Sequence, residues 1–220
     1  MASLTLITGN YNYSSWSLRP WSFLTHLGLL FAERRVVLDT PTFASEIRRY
    51  SPAGRVPVLI DGDLTIWDSL AIIEYTSEIA GGRGWPADRA ARAAARAVAA
   101  EMHSGFAALR NSYPMNIRGR HRRIPASEPL AKDIARIDAI FSDCRRRHAA
   151  GGPWLFGAYS AADAMYLPVA FRFQTYGAEG LGAESRAYIA TALADPMIAP
   201  WVAKAEAETE VIDYSEVGTA

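Results

Sequence analysis

Apolar and polar positions follow one rhythm over about the first eighty residues and another after them. Two short runs rich in β-formers, "LTLIT" (Leu4–Thr8) and "RRVVLD" (Arg34–Asp39), predict strands. Between them Trp21, Phe23, Leu24 and Leu27 recur at helical spacing, and Gly28 closes the pattern. A strand–helix–strand order favours parallel pairing through a right-handed crossover. "VPVLID" (Val56–Asp61) and "LTIW" (Leu64–Trp67) flank Gly62-Asp63, which reads as a hairpin. Asp68-Ser69 then opens a helix whose packed face would carry Leu70, Ile73 and Ile79. The order is β-α-β, an irregular stretch, then β-β-α: a parallel half followed by an antiparallel half.

"GGRGWPAD" (Gly81–Asp88) interrupts this periodicity with three glycines and a proline. It divides the chain into an α/β domain (1–80), a linker (81–86) and an all-α domain (87–220). The second part opens with a long alanine-rich helix, "DRAARAAARAVAAEMHSGFAALR", that sets Arg89, Arg92 and Arg96 in one stripe. That stripe reads as a solvated or dimer-interface face. A helix capped by Ser127 and ended by Gly151-Gly152 places Leu130, Ile134, Ile137, Phe141 and Cys144 on one side. "SAADAMYLPVAFRFQTYG", "ESRAYIATALAD" and "PMIAPWVAKAEAE" add three more helical stretches. The tail "VIDYSEVGTA" is expected to be loosely held.

Composition narrows the classes. Half the residues are apolar, 21% are charged and the formal net charge is zero, so nothing global draws the chain to nucleic acid or an anionic membrane. The one cysteine, Cys144, excludes an internal disulfide and a CxxC redox pair and fits a reducing compartment. No apolar run approaches membrane-spanning length, and "MASLTLITG" lacks the basic region and apolar core of a signal peptide. A cytoplasmic protein is expected. No metal site is predicted.

Three stretches carry candidate chemistry. In "SPAGRVPVLIDG", Pro57 removes a ladder donor from an otherwise good strand, which points to an edge position or a cis bond. If the bond is cis, the main-chain groups of Val56 turn outward and can pair with an extended peptide. In "IWDSLAIIEY", Asp68 and Ser69 stand where a strand feeds a helix. The free helix N–H groups, the Ser69 hydroxyl and the positive dipole end suit a carboxylate, and Asp68 suits an α-amino group. Ordinary capping is the competing account. In "GNYNYSSWSLRPW", a helix starting near Ser17 to Pro20 aims its N-terminus at the loop holding Ser14 and Ser15, with Ser17 as its cap. A thiol placed there ionises below its usual pKa of about 8.5. Serine with no histidine base is a poor nucleophile, so either hydroxyl suits donation to a ligand's sulfur.

Together these stretches resemble the cytosolic glutathione S-transferase family, specifically its serine-type bacterial, zeta-like or theta-like members. "FGAYSAADAMYLP" adds Gly157 and Ser160-x-x-Asp163, similar to the family's G-x-x-[ST]-x-x-D element, which is assigned to folding. The resemblance spans about Leu4 to Trp201 and implies α/β plus all-α architecture: a thioredoxin-like N-terminal domain followed by a helical-bundle C-terminal domain. It implies glutathione as co-substrate, no permanently bound cofactor, a small electrophilic partner and a homodimer. "SSWSLR" aligns Ser14 with the zeta-class activating serine, while counting back from Arg19 on the theta pattern gives Ser15; Ser14 is preferred. Arg55, Val56 and Pro57 (as the cis-proline) would hold the glycyl and cysteinyl parts, and Asp68 and Ser69 the γ-glutamyl end.

The acceptor-substrate site implied by the family lies between the domains. Its candidate walls are Tyr13 and Trp16 from the first, with Tyr11 beside them, and Met102, Phe106, Arg172 and Tyr176 from the second, near His103 and Met165. The implied function is conjugation of glutathione to an apolar electrophile. Alternatives are a maleylacetoacetate-type isomerase, disfavoured because Trp16 stands where the zeta class has cysteine; a glutathione peroxidase; and a non-catalytic glutathione-binding module.

Overall fold

A computed structural model describes residues 4–219. Residues 1–3, which open the stretch read for a targeting signal, and residue 220 lie outside the described residues. Four strands form one mixed sheet in the order β2-β1-β3-β4, with β1 at Leu4–Thr8, β2 at Phe31–Arg35, β3 at Val58–Asp61 and β4 at Leu64–Ile66. β1 pairs parallel to β2 and antiparallel to β3, and β3–β4 is an antiparallel hairpin, so the parallel and antiparallel halves fall as the pattern predicts. Around the sheet lie α1 (Ser15–His26), the short α2 (Phe43–Ile47) and α3 (Ser69–Ile79).

Some details depart from the sequence reading. The second strand begins at Phe31, three residues earlier than expected, because Gly28 (φ +67°) ends α1 sharply and the chain enters the sheet at once. Val36 still donates to Thr8 across the ladder and packs with Ile7, Ile47 and Val58. Pro57 sits just before a central strand, not on an edge strand, and its bond to Val56 is cis. α3 buries Ile72, Ile73 and Thr76 against α1, and Ile79 is left in water.

The helical region comprises α4 (Arg89–Ser104), α5 (Ala107–Ser112), α6 (Glu128–His148), α7 (Ala161–Tyr176), α8 (Ala183–Leu193) and α9 (Ala199–Ala207). The expected single long alanine-rich helix breaks at Gly105, where Phe106 takes a left-handed conformation (φ +60°). Arg110 secures the break by donating to the carbonyls of Met102, His103 and Gly105. Ser127 caps α6 as expected. The arginine stripe ties α4 to its surroundings: Arg92 donates to Pro86 and Ala87, and Arg96 pairs with Glu74 on α3. Between the two regions Gly84 (φ +90°) lies so close to Phe23 that a Cβ there would come within 2.3 Å of its ring. Its carbonyl accepts from Ala161 at the start of α7.

α7 is buried on nearly every side and packs on α1, α4 and α8, so it joins the sheet side to the helical side. Its start depends on Asp163, which accepts from Leu155 N at 3.0 Å, Ser160 N at 2.8 Å and Ser160 Oγ at 2.9 Å. Burial pushes the Asp163 carboxyl up to about 6, with those hydrogen bonds opposing the rise. A carboxyl whose folded pKa is raised contributes stability that is fully present below its unfolded value, about 4, and is lost as pH rises through about 6. Asp163→Asn removes this titration, so urea denaturation will show the advantage of wild type shrinking between about pH 4 and 6. Asp163→Ala also leaves buried N–H groups unpaired and will cost about 2–4 kcal/mol near pH 4, a cost that shrinks in the same way towards pH 6.

The segment after α9 is not loose. Ile212 is buried, Glu216 is bonded to Tyr13, Asn116 and Arg122, and Thr219 bridges Arg123. Its carboxylates find partners on elements distant in sequence, which the local composition did not disclose. No helix among the described residues is long and apolar enough to cross a membrane.

Candidate active site

Two adjoining grooves share Trp16, Arg55 and Val56. The first, about 240 Å³, is lined by those residues with Ala53, Pro57, Trp67, Asp68 and Ser69. The second, about 320 Å³, adds Tyr13, Ser14, Ser15, Leu38, Phe43, Tyr214 and Ser215. All seven residues assigned from sequence to the thiol and the glutathione chain, Ser14, Ser15, Arg55, Val56, Pro57, Asp68 and Ser69, thus border one continuous concave surface.

The N-termini of two helices face it. α3 starts at Ser69, and Asp68 caps it by accepting from Leu70 N and Ala71 N. The other Asp68 oxygen lies 2.8 Å from His103 Nε2 of α4. Burial pushes the His103 imidazole down, Asp68 opposes that, and the charges of Arg19 and Arg110 reinforce it. The Ser69 hydroxyl is buried and has no hydrogen-bond partner among the described residues. An orphaned donor at a helix start, opening on a groove, suits an anionic ligand group. Val56 precedes the ladder, which begins at Val58, and among the described residues its main-chain groups enter no turn or cap hydrogen bond.

α1 starts at Ser15, two residues before the expected cap, and the serines divide its work. Ser14 is the N-cap: its Oγ accepts from Ser17 N at 3.3 Å and donates to Ser17 Oγ at 2.8 Å. Ser17 is inside the helix and accepts from Gly9 N at 3.0 Å. The Ser14 proton is therefore used within the cap. Ser15 Oγ instead accepts from Arg172 Nη2 at 3.1 Å, which leaves its own proton free to donate.

Behind the serines stand three arginines. Arg172 is buried, donates also to the carbonyl of Tyr113, and is pushed down to about 9 by burial and by Arg110. Arg19 is fully buried, and no nitrogen of its guanidinium has a partner among the described residues. Burial and the charges of Arg110 and Arg172 push it well down, against the pull of Asp68. The Trp16 indole lies between Arg19 (4.3 Å) and Arg110 (4.8 Å) and meets His103 edge-on at 5.4 Å. Stacking on the ring face holds the cations in place of carboxylates.

The expected acceptor walls need correction. Met102 has no exposed surface, Phe106 packs against Tyr166, and Met165 is equally buried; all three are core, because α4 turns its apolar side to α7. Tyr176 stacks on Tyr113 at 4.6 Å and lines a different groove with Ile124, Leu130 and Ile134. Arg172 acts from behind Ser15 and is not a wall. Tyr11 points away, to Glu33 and Trp201. Tyr13 and Trp16 do line the surface. Sequence reasoning missed Trp67, Leu38, Phe43, Tyr214 and Ser215. Only Trp67, an exposed aromatic beside Asp68, offered a local signal.

The sheet order, the cis-proline before β3 and the helical region make this a thioredoxin-like domain joined to a helical one, the architecture of glutathione S-transferases. Residues 13–79 match the family model described as glutathione S-transferase, N-terminal domain. Among curated relatives, dichloromethane dehalogenase of Methylophilus leisingeri is 63% identical over 30 residues, 14% of this chain and 11% of that protein. Its counterpart from Methylorubrum extorquens is 39% identical over 64 residues, 28% of this chain and 22% of that protein. The matched segments thus span under a quarter of either relative. A glutathione transferase homologue from Burkholderia, solved with bound glutathione, superposes with a TM-score of 0.70 over 93% of this chain and 98% of its own at 24% identity. That likeness concerns the fold.

Proposed function

We propose that the protein binds glutathione across the two grooves and conjugates it to a small electrophile. In this reading the Val56 main chain beside cis-Pro57 pairs with the cysteinyl backbone, as a strand would. The γ-glutamyl carboxylate meets Ser69 and the start of α3, and its ammonium meets Asp68. Arg55, which borders both grooves, takes the glycyl carboxylate. The sulfur then lies at the serine loop.

The observation that carries the reading is the division between the serines. Ser15, held through its oxygen by Arg172 at the start of α1, has a proton to give, whereas Ser14 does not. We therefore assign thiolate stabilisation to Ser15, against the preference drawn from the zeta alignment. The bound thiol releases its proton to water, and the thiolate accepts from Ser15. The positive end of α1 and the arginines behind it favour the anion. The sulfur forms a bond to the electrophilic carbon, and the leaving group departs with the bonding pair. Electrophiles that expel a halide deserve testing first, given the activity named for the two dehalogenases.

Calorimetry with glutathione and steady-state kinetics with a panel of haloalkanes, activated aryl chlorides and epoxides test this directly. Asp68→Asn will raise KM for glutathione about tenfold, because it removes the charge opposite an ammonium, while kcat changes less than about threefold. Glutathione failing to bind wild type at millimolar concentration would sink the proposal.

A further inference from the structure

The loop that leads into the serines, Asn10 to Ser14, contains no regular element, yet it is fixed from outside. Its own bonds are the turn contacts from Tyr13 N and Ser14 N to Asn10 O. Beyond these and the bonds of Tyr13 and Ser14 to the first turn of α1, its contacts come from segments remote in sequence. Asn12 is fully buried with each polar group engaged: its N–H by Glu208, its carbonyl by Ile117 N, its Oδ1 by Arg118 N and its Nδ2 by Asn116.

Glu208, just past α9, is the central anchor. Its carboxylate accepts from Tyr11 N at 2.7 Å and from Asn12 N at 2.9 Å. Two successive main-chain N–H groups converging on one carboxylate form an anion nest, and such charge-assisted bonds are about twice as strong as neutral ones. Arg35 Nη1, 2.6 Å away, balances the charge. Further along, Glu216 accepts from the Tyr13 hydroxyl, and Tyr214 and Ser215 border the groove beside Ser14 and Ser15.

We infer that Glu208 is a positioning residue for the serine loop, and that Tyr214 to Glu216, further along the same segment, belong to the active site. This rests on the reading of Ser15 as donor to the glutathione thiolate. Glu208 seats Asn12 by its N–H, and Asn12 sets the turn that delivers Ser14 to its cap and Ser15 to the groove. Losing the nest leaves the loop free to drift, and a misplacement of about 1 Å can cost a hundredfold in rate.

The sign of the effect separates positioning from charge. If Glu208 acted through its field, removing a negative charge would lower the pKa of the bound thiol. If it acts by holding the loop, its removal raises that pKa. The experiment titrates the thiolate absorbance of bound glutathione in wild type, Glu208→Gln and Glu210→Gln. Glu210 shares the segment, but among the described residues its carboxylate bonds to Arg35 and makes no hydrogen bond to the loop. The expected result is a rise of about one pKa unit and a roughly tenfold loss of kcat at neutral pH in Glu208→Gln, with KM for glutathione little changed and Glu210→Gln like wild type. Glu208→Asp, which keeps the charge but withdraws it by one methylene, will behave similarly and stands in if Glu208→Gln does not fold. A lowered thiol pKa in wild type that is unchanged or lower still in both Glu208 variants overturns this inference alone. A wild-type bound thiol that titrates like the free one overturns the Ser15 reading, and this inference with it.

Discussion

Ser15→Ala lowers kcat for conjugation by roughly a hundredfold and returns the bound thiol towards its free pKa of about 8.5, while Ser14→Ala leaves most of the thiolate intact. The asymmetry follows from where each proton goes. Ser14 gives its own to Ser17 and accepts from the Ser17 N–H, so its loss uncaps α1 and costs about 1 kcal/mol of stability. Ser15 accepts from a buried guanidinium, and a hydroxyl polarised in that way is the better donor to an anion. Kinetics at saturating glutathione, paired with thermal denaturation, separates the two. Equal losses of activity in both variants, or a larger loss in Ser14→Ala, would return the assignment to the zeta alignment.

Arg19→Met is expected to move stability and activity in opposite directions. A guanidinium with no exposed surface and no partner among the described residues is costly to bury, and stacking on Trp16 offsets only part of that cost. Replacing buried charge with an apolar side chain of similar length commonly stabilises by about 1–4 kcal/mol. The same substitution removes a positive charge from behind the serine loop, which raises the bound thiol pKa and lowers kcat near neutral pH. Chemical denaturation and a pH–rate profile read the two effects independently. A variant that loses stability would show Arg19 to be a packing residue, with no debt to function.

The α/β half was legible because its pattern is local. Alternation, the Gly62-Asp63 turn and the apolar spacing of α1 each rest on neighbours within a few residues, and the parallel and antiparallel halves follow from them. The residues proposed to face glutathione, which the structure sets around the grooves, were legible for a similar reason: Val56-Pro57, Asp68-Ser69 and Ser14-Ser15 are adjacent pairs at element ends. The acceptor walls were not. Met102 and Tyr176 look alike as apolar residues on helices, and only the packing of α4 on α7 and the Tyr113–Tyr176 stack decide which faces they occupy. The role of the final segment was hidden for the opposite reason. Glu208 and Glu216 look like solvated carboxylates until their partners, nearly two hundred residues back in the chain, are brought against them.

The central claim is that this surface ionises a borrowed thiol. A pH titration of thiolate absorbance with glutathione bound to the wild-type protein tests it most directly. The account predicts a midpoint at about 7 or below, well under the free value of about 8.5, and a shift back upward in Ser15→Ala. A bound thiol that titrates at its free pKa, the same in wild type and Ser15→Ala, would contradict it.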